Sequence, residues 1–547
     1  MTVVSRLLGF VRTLVFGRAV GYAAVGDAYQ AANTLPNVLF EVAAGGALAG
    51  ALIPVIAGPL ARGMREDVSR IASAMLGWAL AVLTALALLL VAVAEPVAAL
   101  LVQDAGAARD LVVFFVRVFA VQVPLYGLAV VLSGVLQAQR RFFWPAFVPV
   151  LSSLVVIGTY VAYGRTVGLG SATVPGPGEL PAGAAALLAW GTTAGVVVMG
   201  VPLLVPVARS GVRLRPTLRF PAGVGARARG LALAGIGALA AQQLAVLFTL
   251  WLADRYGTAG ALSGYQSMVQ AVYMLPYAVL SVPLATSTFP RLAERAARPG
   301  RPGYAPLAAQ TTRGVLMSGA LGAAVLVAVA PAATTVFSAV GRGDAEVIAT
   351  LTDALTLMAP GLLGLGLIFH VSRALYALER GRLAVLATSL GWATVMVSSW
   401  VVCAVTVPAG GDGPATVRAL AAGNTIGMLV AGVALVLVLR YAAGPEAVAG
   451  LPRTLVVLLL GGGAAAVAGR WTVDAFEGIA GGGAAGAVAA AAGGGALVLV
   501  VVLALVWALD RSAITGLLGR RGGPAASPAA STAPSPATTT DRTGDAP

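Results

Sequence analysis

The reading turns on SRLLGFVR at residues 5–12, followed by Asp27 and then by LPNVLFEVAAGGALAGALIP at 35–54. The stretch is apolar enough to lie in a bilayer. Yet it carries Arg6, Arg12, Asp27 and Glu41, with Pro36 and several glycines among them. A charge inside a membrane segment is costly and marks function by default. Two membrane helices lining a polar path account for such a stretch better than a plain anchor does.

The surrounding chain is of the same kind. Of its 547 residues, 59% are hydrophobic and 10% charged, and mean hydropathy is +0.91. Apolar runs of about 20 residues, the length that crosses a bilayer, recur almost throughout. The short alternating segments of an outer-membrane barrel are absent. These features predict an all-α polytopic membrane protein with about fourteen spans: 2–23, 28–57, 71–100, 108–137, 144–163, 183–207, 230–253, 261–289, 314–338, 348–377, 383–407, 416–439, 454–470 and 482–509. The first segment lacks a small-residue cleavage site, so no cleavable leader is expected.

All 35 basic residues are arginine, and the net charge is +14. Twenty arginines fall in six alternate loops, at 62–70, 140–141, 209–229, 291–313, 380–382 and 440–453, whereas the seven intervening loops hold one each. Topology explains this pattern, and nucleic acid is not an expected partner. The positive-inside rule places the rich loops and both termini in the cytoplasm of a bacterial, multi-pass membrane protein.

An internal repeat runs through the chain. LP at 35–36 recurs at 275–276, LSGVLQAQRR (132–141) lies over VSRALYALER (371–380), and GTTAGVVVMG (191–200) over GNTIGMLVAG (423–432). The unit is six spans. An even unit keeps its orientation, so the two lobes are related by a pseudo-twofold along the membrane normal, with the substrate site between them. The expected divisions are an N-lobe at 1–209 and a basic cytoplasmic linker at 210–229. A C-lobe follows at 230–440, then two extra spans at 441–510 with a groove for a lipid tail. The Pro/Ala/Thr/Ser-rich tail at 511–547 is expected to be disordered.

No Walker-type loop, HExxH or Ser/His/Asp set occurs. The single cysteine, Cys403, excludes an internal disulfide and reads as an inert core residue. No enzyme, cofactor or metal site is expected; energy would come from a coupling cation or the membrane potential. The intramembrane charges remain. Arg12 either snorkels to the interface or lines a cavity, and Arg6 lies nearer the interface. Asp27 is a helix cap or a functional acid. Glu41 falls near the middle of span 2, five residues after Pro36, the expected hinge; Arg12 is its natural partner. Arg117 must face a cavity or an acid, and His370 either titrates or is a bonded core histidine. Gln242, Gln243, Gln266 and Gln270 offer neutral polar surface to the inter-lobe region. Cations in such a cavity suit a phosphate, and the apolar extra spans suit its lipid tail.

At this point the chain resembles a known family. SRLLGFVR, Asp27-Ala28 and LPN with a Gly/Ala-rich stretch ending in IPV are similar to the opening signature of the MurJ/MviN lipid II flippases of the multidrug/oligosaccharidyl-lipid/polysaccharide exporter superfamily. QAQRRFFWPAFVPVLSS (137–153) and MLPYAVLSVPLATSTFPRLAERA (274–296) continue the likeness through spans 1–12. The resemblance implies export of lipid II, an undecaprenyl-pyrophosphate glycolipid, to the outer leaflet for cell-wall synthesis. It implies that Arg6 and Arg12 bind the pyrophosphate and that Asp27 is the family's span-2 acid. The chain departs from the pattern at Thr13, at Phe40 or Glu41, and at Gln270 and Ala271, where the family has charged residues. Divergent members from high-GC Gram-positive bacteria would depart so, as would a paralogue with another substrate. The family's longer lead-in predicts a start upstream of Met1.

The expectation is therefore a lipid II flippase. Arg6, Arg12 and Arg117 would bind substrate, and Asp27, Glu41 and His370 would gate or couple ions. The alternatives are an exporter of another polyprenyl-linked glycan, a cation-coupled drug antiporter, or a non-transporting scaffold for cell-wall proteins.

Overall fold

The computed structural model describes residues 2–42, 62–102, 106–169, 173–221, 224–480 and 483–509, with isolated positions between 52 and 60. The predicted tail lies outside them. Among the described residues the fold is helical without strands; one isolated backbone bridge joins Tyr22 and Gly343. Counting a broken helix as one, the first half holds α1 (Thr2–Ala19), α2 (Ala24–Phe40), α3 (Arg65–Ala92), α4 (Ala107–Ala138), α5 (Phe143–Thr166) and α6 (Ala184–Ala208). The second half holds α7 (Val224–Tyr256), α8 (Ala261–Ala297), α9 (Tyr304–Val340), α10 (Ala345–Ala377), α11 (Gly381–Thr406) and α12 (Gly413–Ala443). Last come α13 (Leu451–Ala480) and α14 (Ala484–Leu509), packed on each other and on α9 through Ala332, Val473, Ala487 and Ala490.

Ten of these helices are long and apolar enough to cross a membrane, and α10, bent by 54°, makes eleven. That is fewer than the fourteen expected. Helices do stand at the other three places, but α1 carries three arginines, α2 has 17 residues, and part of α7 lies outside the described side chains.

The repeat is written in the backbone. α4 breaks at Ala120–Val121 and α10 at Ala359–Pro360, both 239 positions apart. Each helix then ends on a non-glycine residue in the left-handed region, Arg140 (φ 61°) and Glu379 (φ 60°), again 239 apart. The next amide closes each end alike, Arg141 N–H to the Leu136 carbonyl at 2.8 Å and Arg380 N–H to Leu375 at 2.9 Å. This is the left-handed helix stop that satisfies orphan carbonyls. α2 and α8 also match: each runs through its repeated proline, Pro36 or Pro276, into a wider π-type turn at Glu41–Val42 or Tyr277–Ser281. Pro36 does not break α2.

Lipid tails give no hydrophobic drive for helix association, so close backbone approach matters more. A Cβ on Gly427 of α12 would stand 2.6 Å from the Val395 amide nitrogen and 2.8 Å from the Gly391 carbonyl oxygen of α11. Only glycine fits that crossing.

The loops separate by end. One end gathers the arginine-rich connections around Arg65, Arg140 and Ser210. At the opposite end the α1–α2 turn pairs with the α9–α10 turn: Tyr22 N–H donates to the Arg342 carbonyl (2.7 Å), Asp344 N–H to Tyr22 (3.0 Å), and Arg342 N–H to Gly17 (3.0 Å). Arg342 is itself buried and donates to the Thr173 carbonyl at 2.7 Å. The two halves are thus stitched together at the arginine-poor end.

Candidate functional site

A cavity of about 470 Å³ lies between the halves, walled by α1, α2, α4, α5 and α6 on one side and α7 and α8 on the other. α2 supplies most of its polar surface. Gln30, Asn33, Thr34 and Asn37 recur at three- and four-residue steps and so share one helix face. On the far wall Tyr29 Oη lies 2.9 Å from Tyr160 Oη and 3.1 Å from Thr192 Oγ1, a buried hydroxyl network. Tyr126 closes the same wall, its ring 4.7 Å from that of Phe40.

Among the described residues that line this cavity, Arg12 is the one that is charged. No carboxylate pairs with it among the described residues. A guanidinium in a chamber of hydroxyls and amides is a receptor for an anion, because its planar fork suits phosphate oxygens.

α2 also closes the arginine-poor end of the cavity. Asp27 accepts hydrogen bonds from the backbone N–H of Gly260 (2.6 Å) and Ser263 (2.7 Å), at the start of α8. It therefore caps a helix of the other half of the molecule, not its own. A carboxylate there satisfies orphan donors and meets the positive end of the helix. One turn on, the Gln30 side-chain amide donates to Ser267 Oγ, and Thr34 Oγ1 donates to Gln266 Oε1 at 3.3 Å. Asp27, Gln30 and Thr34 form one stripe along α2, and the seam they make joins the two halves.

The other predicted residues fall elsewhere. Glu41, expected mid-membrane opposite Arg12, is exposed at the end of α2, one turn beyond Asn37, and does not line the cavity. No ion pair with Arg12 forms among the described residues. Arg117 also stays out of the cavity: its Nη2 pairs with Glu95 Oε1 at 2.8 Å, both side chains at least half exposed. The pairing arises because α3 stops at Ala92 and a short helix, Ala94–Leu101, turns Glu95 toward α4. His370 is 1% exposed, with Nε2 3.1 Å from Thr311 Oγ1 of α9, a bonded core histidine. The Arg6 side chain lies outside the described residues. Gln266 and Gln270 line the cavity, and Gln242 joins them in a smaller side pocket of about 140 Å³.

Tyr29, Asn33, Asn37, Tyr126 and Tyr160 also line the cavity, and the charge pattern of the sequence does not single them out. The polar stripe of α2 was the available signal; the tyrosines had none, being ordinary residues of apolar helices. Among the described residues no group of His, Cys, Asp and Glu could hold a metal ion.

The sequence profile of the family described as lipid II flippase MurJ matches residues 16–473. The chain belongs to the MurJ family. Among MurJ relatives, the lipid II flippase MurJ of Burkholderia cenocepacia is 28% identical over 386 residues, covering 69% of this chain and 71% of that protein. The probable lipid II flippase MurJ of Rhizobium tropici is also 28% identical, over 303 residues and 53% of each chain. A solved MurJ structure, in an inward closed conformation, superposes with a TM-score of 0.70 at 15% identity over 93% of this chain and 98% of that one. An inward-facing multidrug resistance MATE transporter of the MOP superfamily follows at 0.62 and 14%, over 80% and 96%. MurJ and MATE thus share this fold. Thr13, Gln270 and Ala271, the expected points of departure from the family resemblance, all line the cavity and bring no charge to it.

Proposed function

We propose that this chain is a lipid II flippase, carrying the pyrophosphate-linked precursor to the outer leaflet by alternating access for cell-wall synthesis. Family membership supports the activity. The observation that carries the mechanism is Arg12, which has no carboxylate partner among the described residues and stands in an otherwise neutral polar cavity between the two halves. The pyrophosphate would sit on that guanidinium, and the Tyr29, Asn33 and Asn37 side chains would offer hydrogen bonds to the headgroup. The polyprenyl tail would stay in lipid, along the apolar faces of α13 and α14.

The arginine-rich end faces the cytoplasm on this reading, with both termini there, in the cytoplasmic membrane of a bacterium. The described state is then sealed on the outer side by the Asp27 seam and by the Tyr22–Gly343 turn pair. Transport breaks that seam and rocks the halves apart. The membrane potential drives the return, at about 2.3 kcal/mol per charge for each 100 mV. Cation antiport fits the site less well. Asp27 is engaged in the seam, and Glu41 does not line the cavity.

The test is complementation in cells depleted of their own flippase. Wild-type chain should restore growth and outer-leaflet lipid II, while Arg12→Ala should restore neither at equal expression. Full rescue by Arg12→Ala would refute the mechanism. Failure of the wild type, with another lipid-linked glycan exported instead, would refute the substrate.

A further inference from the structure

The segment joining the two halves is bound to α3 by its backbone. Arg213 N–H donates to Ser69 Oγ (3.2 Å) and Arg215 N–H to Ser73 Oγ (2.9 Å). Thr217 N–H donates to the Ser73 carbonyl (3.3 Å), and Trp78 Nε1 to the Leu218 carbonyl (2.9 Å). Ser69, Ser73 and Gly77 are one turn apart on one face of α3. A Cβ on Gly77 would collide with the Thr217 backbone, standing 2.7 Å from its nitrogen. The linker therefore lies extended along α3, where successive side chains alternate. Val212 and Leu214 pack into the core, and Arg213, Arg215 and Arg219 are exposed on the other side.

These three meet Arg65 and Arg70 of α3 around a cleft of about 810 Å³. A second cleft of about 530 Å³ adjoins it through Arg65 and Gly211 and adds Arg140 and Arg141. Seven arginines thus ring the two clefts. Arg70 pairs with Asp67, and Glu66 is the one acid in the linings; the other six arginines have no carboxylate partner among the described residues. Such a concentration of like charge at one wall invites a polyvalent anion.

The position favours a lipid as its source. α3 has 28 residues, about 42 Å of helix, against a hydrocarbon core of about 30 Å, so its arginine end stands among the headgroups. Trp78 and Leu218, 44% and 54% exposed, flank the cleft-lining residues along α3 and the linker and offer an apolar surface suited to acyl chains.

We propose that this cleft binds the phosphodiester headgroup of an anionic bilayer lipid, which fastens the inter-half linker to α3. The headgroup neutralises arginines contributed by both partners of the joint, so its occupancy stabilises the docked linker. The site shares no lining residue with the central cavity.

Native mass spectrometry of the full-length protein with phosphatidylglycerol tests this directly. Arg213→Gln/Arg215→Gln/Arg219→Gln should weaken binding about tenfold or more. Arg380→Gln/Arg382→Gln, which removes two exposed arginines from another loop of the same end, should leave it within about twofold. Equal loss in both variants would reduce the effect to general surface charge, and no loss in the triple variant would remove the site; either overturns the proposal. A competition arm separates the sources: inorganic phosphate should displace the lipid poorly. Displacement at comparable concentrations would make this a soluble-anion site and overturn the lipid assignment.

Discussion

Arg12 and Glu41 look equivalent in the sequence, two charges in apolar helices, and the structure separates them. Arg12 faces the cavity and Glu41 ends α2 outside it. A charged hydrogen bond contributes about 1.5–3 kcal/mol, so Arg12→Gln should weaken binding of undecaprenyl pyrophosphate by about ten- to a hundredfold. Glu41→Gln should leave it within about twofold. Titration of the purified variants with that lipid measures both. Charge alone proved an uneven guide to the site. It picked out Arg12 and Asp27, but also Arg117, whose partner Glu95 is brought near by a helix break in a run that reads as one continuous span. Most of the cavity wall is neutral. Tyr29, Tyr126 and Tyr160 acquire their meaning from tertiary convergence, which no local pattern encodes.

At the level of elements, α2 does two jobs with one stripe. Asp27, Gln30 and Thr34 hold the seam to α8, and Gln30 onward, through Asn33 and Asn37, lines the cavity. Gln30→Cys with Ser267→Cys, in a Cys403→Ala background, should be joined by a short, reducible bis-thiol cross-linker, because the native side chains touch. Export should stop on cross-linking and resume on reduction. Unchanged export with the cross-link formed would mean that the seam does not open during transport. The α11–α12 crossing makes a stability prediction. Gly427→Val forces a side chain onto the Val395 backbone and should cost about 1–3 kcal/mol, read as a lower Tm in detergent. The repeat was legible at this scale because helix stops have local sequence causes. The breaks and left-handed ends 239 residues apart fall in and just before the stretches that match in sequence.

Across the whole molecule, the all-helical fold and the split into arginine-rich and arginine-poor ends follow from hydropathy and loop charge. The span count did not follow so cleanly, since α1 and α2 trade apolar length for polar cavity surface. Orientation makes its own prediction. In a Cys403→Ala background, Gly410→Cys should react with an impermeant maleimide added outside intact cells, and Arg140→Cys only after lysis. The reverse pattern would invert the proposed topology and, with it, the direction of transport. Outward movement of lipid II through this cavity, in which Arg12 is the one charge among the described residues, makes a further prediction. An impermeant lipid II-cleaving enzyme, added outside cells depleted of their native flippase, reads it out. Cells expressing the wild-type chain should yield cleavage product and those expressing Arg12→Ala almost none; equal product from both would contradict the account.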